Sequence, residues 1–114
     1  MSDDPRAVAE RVDARAIALH RAAPETMTAF RGLMRAAGKD GALDAKTKEL
    51  MALAIAIAVR CEGCISFHVR QAIRKGASRA EVVETIAVAI EMGGGPSTVY
   101  GAEALAAFDA FAPA

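Results

Sequence analysis

Apolar residues recur every three or four positions along most of the chain, which is the periodicity of helices that bury one face. This pattern predicts six helices, at about 5–22, 24–38, 46–59, 61–75, 79–90 and 96–111. No segment requires a partner strand. A chain of 114 residues is also the size of one domain. The sequence therefore predicts an all-α fold, a single-domain bundle of about six helices that covers residues 1–114.

Short-range patterns mark the ends of these helices. Asp3 and Asp4 precede Pro5, a residue suited to the first turn of a helix. Asp44 is a suitable N-cap for the third helix, and residues 78–81 form a capping box for the fifth. The glycines and prolines that end or interrupt helices are Gly38, Gly76 and the run Gly93-Gly94-Gly95-Pro96.

The third helix contains an ambiguity, because larger apolar residues alternate with alanines from Leu53 to Val59 as they would in a strand. We interpret it as a helix, since alanine is a strong helix former and no turn residue interrupts 46–59. The run 50–59 is apolar on every side, so we expect a buried helix whose burial neighbouring subunits complete. This predicts a homo-oligomer.

Composition and charge exclude several classes of function. The chain has 14 basic and 14 acidic residues, without a basic block, so we expect no nucleic-acid partner. The ten apolar residues of 50–59 fall short of the roughly 20 needed to cross a bilayer, so we expect no membrane association. The charged N-terminus lacks the apolar core of a signal peptide, which favours the cytoplasm.

Cys61 and Cys64 are the only cysteines, and in a reducing compartment such a pair is more often catalytic than structural. A structural zinc site needs four ligands, and beyond the pair the chain offers only His68 and His20 as further histidines. Attachment of c-type haem needs histidine where Ile65 stands. We therefore expect no metal and no cofactor, and interpret the pair as a reactive dithiol.

Glu49, eleven residues, Cys61, two residues, Cys64, three residues and His68 form a pattern that resembles the alkylhydroperoxidase-D branch of the carboxymuconolactone decarboxylase family. The resemblance extends over about residues 24–107 and leaves out only the first helix. The segments that carry it are PETMTAFRGL, GALDAKTKELMALAIAIAVRCEGCISFHVRQAIRKGAS, AEVVETIAVAI and GGGPS.

This resemblance implies an all-helical fold, assembly into trimers or hexamers, and reduction of peroxides through the CxxC dithiol. It implies that Cys64 attacks the peroxide and that Cys61 then closes the disulfide. Better-characterised peroxidases of the family carry a histidine just before the second cysteine, where this chain has Gly63. The expected partners are a hydroperoxide substrate and a dithiol reductant, either a lipoyl-type group or a thioredoxin-like protein.

Helix geometry allows the same four residues to act together. Cys64 lies one turn from His68, and a disulfide closes comfortably only if Cys61 lies at the helix start. Glu49 would be about 18 Å from Cys61 along one continuous helix, so the chain must reverse near Arg60 to bring it within about one turn of His68. Glu49 would then orient His68, and His68 would take the proton of Cys64.

Two other functions stay open on the sequence. One is decarboxylation of a small carboxylated lactone, which needs acid-base groups but no dithiol. The other is a non-enzymatic oligomer whose disulfide senses redox conditions.

The basic residues near the end of the fourth helix and the methionines receive structural interpretations. We expect a solvent-exposed basic face and helix end at Arg70, Arg74, Lys75 and Arg79, and core packing at Met27, Met34, Met51 and Met92.

Overall fold

The computed structural model describes residues 4–114, and every regular element in that range is an α-helix. The predicted Asp3 helix start lies outside the described residues. The helices are α1 (Pro5–Ala22), α2 (Pro24–Gly38), α3 (Ala45–Ala58), α4 (Glu62–Arg74), α5 (Arg79–Gly93) and α6 (Gly95–Phe111). The predicted all-α fold is therefore confirmed, including the ambiguous third helix.

Side-chain caps fix the helix starts that the sequence predicts. Asp44 accepts a hydrogen bond from the backbone N–H of Thr47 at 2.7 Å, and Asp4 accepts one from the N–H of Arg6. Ser78 and Glu81 form the complete capping box at the start of α5. Each such cap satisfies a backbone N–H that has no partner within the helix. These helix starts are therefore set largely by local chemistry.

Helices α3, α4, α5 and α6 enclose the hydrophobic core, with α3 packed against α4 and α5, and α6 against α4 and α5. The large side chains that are completely buried come from three of them: Leu53, Ile57, Val69 and Val82. Gly101 lets α6 approach α5, because a Cβ there would lie 2.7 Å from Cγ2 of Ile86. Helix α1 lies over α4 and α6, and α2 contacts α1 and, less extensively, α3.

The two sides of α3 differ in burial. Its Leu53 and Ile57 face the core, but Met51, Ile55 and the C-cap residue Val59 are 49%, 62% and 64% exposed in the single chain. Helices α4 and α5 cover only one side of α3, and the expected burial of the other side by neighbouring subunits stays a prediction. Met92 is likewise 78% exposed, so core packing is wrong for both Met51 and Met92.

Helix α2 has no buried residue among its fifteen, although its apolar positions repeat with helical spacing. Phe30 and Leu33 are 52% and 62% exposed. The protomer thus carries apolar surface on both α2 and α3. Within residues 4–114 no helix is both long enough and apolar enough to span a bilayer.

Candidate active site

The site is built on the reversal between α3 and α4. Val59 is the C-cap of α3, Arg60 takes a positive φ of 61°, and the N–H of Cys61 donates back to the carbonyl of Ala56 at 3.0 Å. A left-handed conformation costs an L-residue about 1–2 kcal/mol. The hydrogen bond from Cys61 to Ala56 helps to hold the turn in place against this cost. The reversal makes α3 and α4 antiparallel neighbours, as the sequence predicts.

Cys61 is the N-cap of α4, and its Sγ accepts a hydrogen bond from the N–H of Cys64 at 3.2 Å. The two sulfurs are bonded to each other in a disulfide that spans one turn, with the Cα atoms 5.2 Å apart. Cys64 is exposed and Cys61 is half-buried. In the reduced protein, the free N–H groups and the dipole of the helix start would favour a thiolate at this position.

His68 lies one turn after Cys64 on the same face of α4 and is paired with Glu49 of α3. Its Nδ1 is 2.8 Å from Oε2 of Glu49, and the two side chains are 21% and 18% exposed. An ionised carboxylate can only accept, so a pairing with ionised Glu49 requires the hydrogen on Nδ1, and the neutral tautomer of that kind has its lone pair on Nε2. The rings of Phe67 and His68 are nearly perpendicular, with their centroids 5.1 Å apart. The imidazole is therefore held in an orientation that leaves Nε2 available as a base.

The structure thus places all four predicted residues at one hairpin: Glu49 from α3, Cys61 at the turn, and Cys64 and His68 from α4. Glu49 contacts His68 directly, as expected for a glutamate side chain that spans the separation of about one turn. Residues 4–114 contain no group of three or more His, Cys, Asp or Glu side chains placed to hold a metal ion.

Helix α1 contacts the two residues between the cysteines, which the sequence did not indicate. Arg11 Nη2 forms an ion pair with Oε1 of Glu62, the residue after Cys61. A Cβ at Gly63 would lie 3.3 Å from Cγ1 of Val12. The two residues between the cysteines therefore each contact α1. No local pattern could have revealed these contacts, because they join residues about fifty positions apart.

A second ion pair between α1 and α4 corrects the interpretation of Arg70 as part of a solvent-exposed face. Arg70 Nη1 and Nη2 donate to the two carboxylate oxygens of Asp13 at 2.8 and 3.0 Å, and the Arg70 side chain is only 20% exposed. Its guanidinium also lies over the ring of Phe111, 5.8 Å from the centroid. The hydrogen bonds from Arg70, followed by its positive charge, hold the pKa of the Asp13 carboxyl below its ordinary value.

A cavity of about 320 Å³ lies between α1, α4 and α6 and is lined in part by Val8, Glu62 and Ser66. Residues 62 and 66 project about 200° around α4 from 64 and 68, since each residue advances the helix by about 100°. The cavity is therefore on the opposite flank of α4 from His68. Cys64, in contrast, is exposed on the other flank of α4.

Comparison with known proteins places these features in a family. A solved structure from Legionella pneumophila, described as a carboxymuconolactone decarboxylase family protein, is 46% identical and superposes with a TM-score of 0.92 over 98% of this chain and 100% of that one. A Thermotoga maritima structure, described as a member of the same family with a suggested involvement in the antioxidative response, is 28% identical, with a TM-score of 0.72 over 84% of this chain and 88% of that one.

Sequence relatives extend the same likeness. An uncharacterised protein of Cupriavidus necator is 50% identical over 93 residues, which are 82% of each chain. An uncharacterised protein of the cox locus of Paracoccus denitrificans is 40% identical over 89 residues, 78% of this chain and 80% of that one. The model of the carboxymuconolactone decarboxylase family matches residues 24–107, from the start of α2 into α6 and across the whole α3–α4 hairpin. With most of its length matched in this way, the chain belongs to the carboxymuconolactone decarboxylase family.

Proposed function

We propose that the protein is a thiol-dependent peroxidase that reduces hydroperoxides through a Cys61–Cys64 dithiol-disulfide cycle. The observation that carries this proposal is a disulfide at a helix start, one turn from a histidine whose Nδ1 is held by a carboxylate. A base beside a dithiol is the arrangement that activates a thiol as a nucleophile. The suggested antioxidative involvement of the Thermotoga relative supports the same class of chemistry.

The proposed cycle begins with the reduced protein. The Cys64 thiolate attacks the terminal oxygen of ROOH, the O–O bond breaks, and ROH leaves with a proton while Cys64 becomes a sulfenic acid. The Cys61 thiol then displaces water from that sulfenic acid and closes the disulfide. An external dithiol, a lipoyl-type group or a thioredoxin-like protein, returns two electrons and two protons by thiol-disulfide exchange. The exposure of Cys64 and the half-burial of Cys61 support this division of roles.

In this mechanism Glu49 and His68 manage the protons. His68 takes the Cys64 proton at Nε2, directly or through water, and can return it to the departing alkoxide. Glu49 keeps Nδ1 protonated and stabilises the imidazolium that forms. Glu49 is thus a positioning residue, and its effect depends on His68.

Peroxide consumption with dihydrolipoamide as reductant tests the proposal. We expect turnover by the wild type, none by Cys64→Ser, and at least about a hundredfold loss in His68→Gln, the usual size of a general-base contribution. His20→Gln is the matched control on α1 and should keep full activity. A Cys64→Ser protein that still consumes peroxide would contradict the proposal.

The pH dependence of Cys64 alkylation in a Cys61→Ser background tests the relay separately. His68→Gln should slow iodoacetamide reaction near neutral pH, Glu49→Gln should do so more weakly, and the double variant should match His68→Gln, because residues that act as a unit are not additive. Identical profiles with and without His68 would leave activation to the helix start alone.

The His68–Glu49 pair also favours a second candidate, lactone decarboxylation of the kind that the family name denotes, because acid-base groups suffice for it. The two functions differ in their need for thiols. Decarboxylation that survives in Cys64→Ser, together with absent peroxide turnover in the wild type, would favour the second.

We further propose that the protein works as a homo-trimer or homo-hexamer in the cytoplasm. The exposed apolar faces of α2 and α3 support assembly, since contiguous apolar patches of this kind commonly mark subunit interfaces. A reducing compartment would return the disulfide to the dithiol.

A further inference from the structure

We propose that the cavity between α1, α4 and α6 is a binding site for a small neutral organic molecule, which has an apolar body and one hydroxyl or carbonyl group that bonds to Ser66. The cavity lies on the opposite flank of α4 from Cys64 and His68. The inference therefore goes beyond the proposed peroxidase chemistry, and its test is a binding measurement that involves neither cysteine.

The walls of this cavity favour an apolar body. Apolar residues from three helices line it: Pro5, Val8, Ile65, Ala102, Ala106 and Ala107. Its volume of about 320 Å³ lies at the lower end of the range for small-molecule pockets, and at about 30 Å³ per water molecule it matches about ten water-sized groups. Ala102 and Ala106 are exposed, so the cavity opens to solvent beside α6. A compact molecule can enter from this side.

Ser66 supplies the polar group that would orient a ligand. It lines the cavity and is only 4% exposed, and no group in residues 4–114 forms a hydrogen bond with its Oγ. A buried hydroxyl without a partner is unfavourable. Rotation about the Cα–Cβ bond gives Oγ other staggered positions, through which it can turn towards the cavity. A ligand hydroxyl or carbonyl that reaches Oγ would supply the missing hydrogen bond.

The charges at the wall decide which ligands are excluded. Among the described residues that line the cavity, the ionisable ones are both acidic, Glu62 and Glu103. These carboxylates would repel an anionic ligand such as a carboxylate or a phosphate. Arg11 forms an ion pair with Glu62, and Glu103 is likewise engaged in an interaction, so neither requires a cation from the ligand. A neutral molecule therefore fits the charge as well as the apolar walls.

The test is an NMR titration of ¹⁵N-labelled protein with three probes of similar shape, which are cyclohexanol, cyclohexylamine and cyclohexanecarboxylate. We expect cyclohexanol to bind with a dissociation constant of about 1–10 mM, a moderate affinity per atom for so small a ligand. It should shift the amide signals of Val8, Ile65 and Ala107 most. Cyclohexanecarboxylate should bind at least about tenfold more weakly, because its charge is repelled and must also lose water. Cyclohexylamine should bind no more tightly than cyclohexanol.

Three variants connect binding to particular residues. Ser66→Ala should weaken cyclohexanol binding about three- to tenfold, the usual worth of one hydrogen bond. The free variant should unfold at a temperature no lower than the wild type, because it loses a buried hydroxyl that has no partner. Ser97→Ala is the matched control and should keep the wild-type affinity, since Ser97 is a buried serine that does not line the cavity. Ala106→Leu places a larger side chain at the exposed side of the cavity and should abolish binding.

Tighter binding of the amine or the carboxylate than of cyclohexanol would overturn the ligand class. Absent binding of cyclohexanol, equal affinities of Ser66→Ala and the wild type, or signal shifts centred away from Val8, Ile65 and Ala107 would overturn the site. Binding of cyclohexanol as expected, in a protein that consumes no peroxide, would uphold this inference and contradict the proposed function alone.

Discussion

The bundle α3–α6 and the pair α1–α2 are both helical, but they differ in how many apolar side chains they bury. In the described residues, every member of the main core cluster lies between positions 53 and 108, whereas α1 buries only Val8 and Ala9 and α2 buries nothing. Helix α1 also contacts α4 through two ion pairs, Arg11–Glu62 and Asp13–Arg70. Packing therefore builds the scaffold of the hairpin, and ion pairs help to hold a separate helix against the start of α4.

This difference has a consequence for function. Apolar burial is insensitive to modest changes of pH and salt, but exposed ion pairs are weakened by both. A contact between α1 and the CxxC motif that depends on charge can be altered without unfolding the protein. The following predictions test the contrast between the two regions, from the largest expected effect to the smallest.

Leu53→Ala should be among the most damaging truncations in the bundle. Leu53 is completely buried, and removing a buried leucine side chain costs about 3 kcal/mol of unfolding free energy through lost transfer energy and the cavity left behind. Thermal unfolding should show a midpoint lower by about 10 °C or more. The matched truncation Leu19→Ala on α1, at a site 53% exposed, should stay within about 0.5 kcal/mol. Equal losses of unfolding free energy at both sites would contradict the difference in burial between the bundle and α1.

Leu33→Glu should weaken assembly at least about a hundredfold, a change of roughly 2.7 kcal/mol, while leaving the protomer folded. Leu33 is 62% exposed on α2, so the substitution places a charge in the proposed apolar interface but disturbs no core of the single chain. Sedimentation should show species near the protomer mass of 11.8 kDa. Thr28→Glu adds the same charge on the other side of α2 and should leave assembly intact. A wild type that sediments as a monomer at micromolar concentration would contradict the proposed oligomer.

Glycine substitutions directly compare how closely the helices pack in the two regions. Gly101→Ala should cost about 1–2 kcal/mol, because its Cβ would lie 2.7 Å from a branch methyl of Ile86 that cannot easily move. Gly63→Ala meets Val12 at 3.3 Å, and α1 can give by a few tenths of an ångström while alanine adds helix propensity. Its net effect on urea unfolding should be near zero. A larger loss at position 63 than at 101 would mean that α1 is held as rigidly as the core.

The smallest expected effect is the pH-dependent contribution of Asp13. Because Arg70 lowers the pKa of the Asp13 carboxyl, its stabilisation is present above the unfolded-state pKa of about 3.9 and is lost as the pH falls through the folded-state pKa. Asp13→Asn should therefore cost less than about 1 kcal/mol at pH 7, since the carboxylate is half exposed, and this difference should vanish in strong acid. Urea unfolding at both pH values measures it, with the exposed Glu84→Gln as control. A difference that persists in acid would point to packing and not charge.

The sequence by itself determined the helices and the reactive pair. Periodicity and caps such as Asp44 and the Ser78–Glu81 box are local, because the groups that start a helix lie within four residues of each other. The placement of Cys61 at a helix start followed from the helix pattern. The reversal that returns Glu49 towards His68 followed only once the family resemblance had joined these residues in one site, since twelve residues of straight helix would have kept Glu49 and Cys61 apart. The helix starts alone need no knowledge of distant parts of the chain.

Only the tertiary structure decided which faces are covered. The apolar run 50–59 looks uniform in sequence, yet Leu53 is buried and Ile55 is exposed, because α4 and α5 occupy one side of α3 alone. The sequence also could not predict the ion pairs Arg11–Glu62 and Asp13–Arg70. Ion pairs between helices depend on how α1 packs against α4. A charged residue has the same local sequence pattern whether it contacts a partner or water.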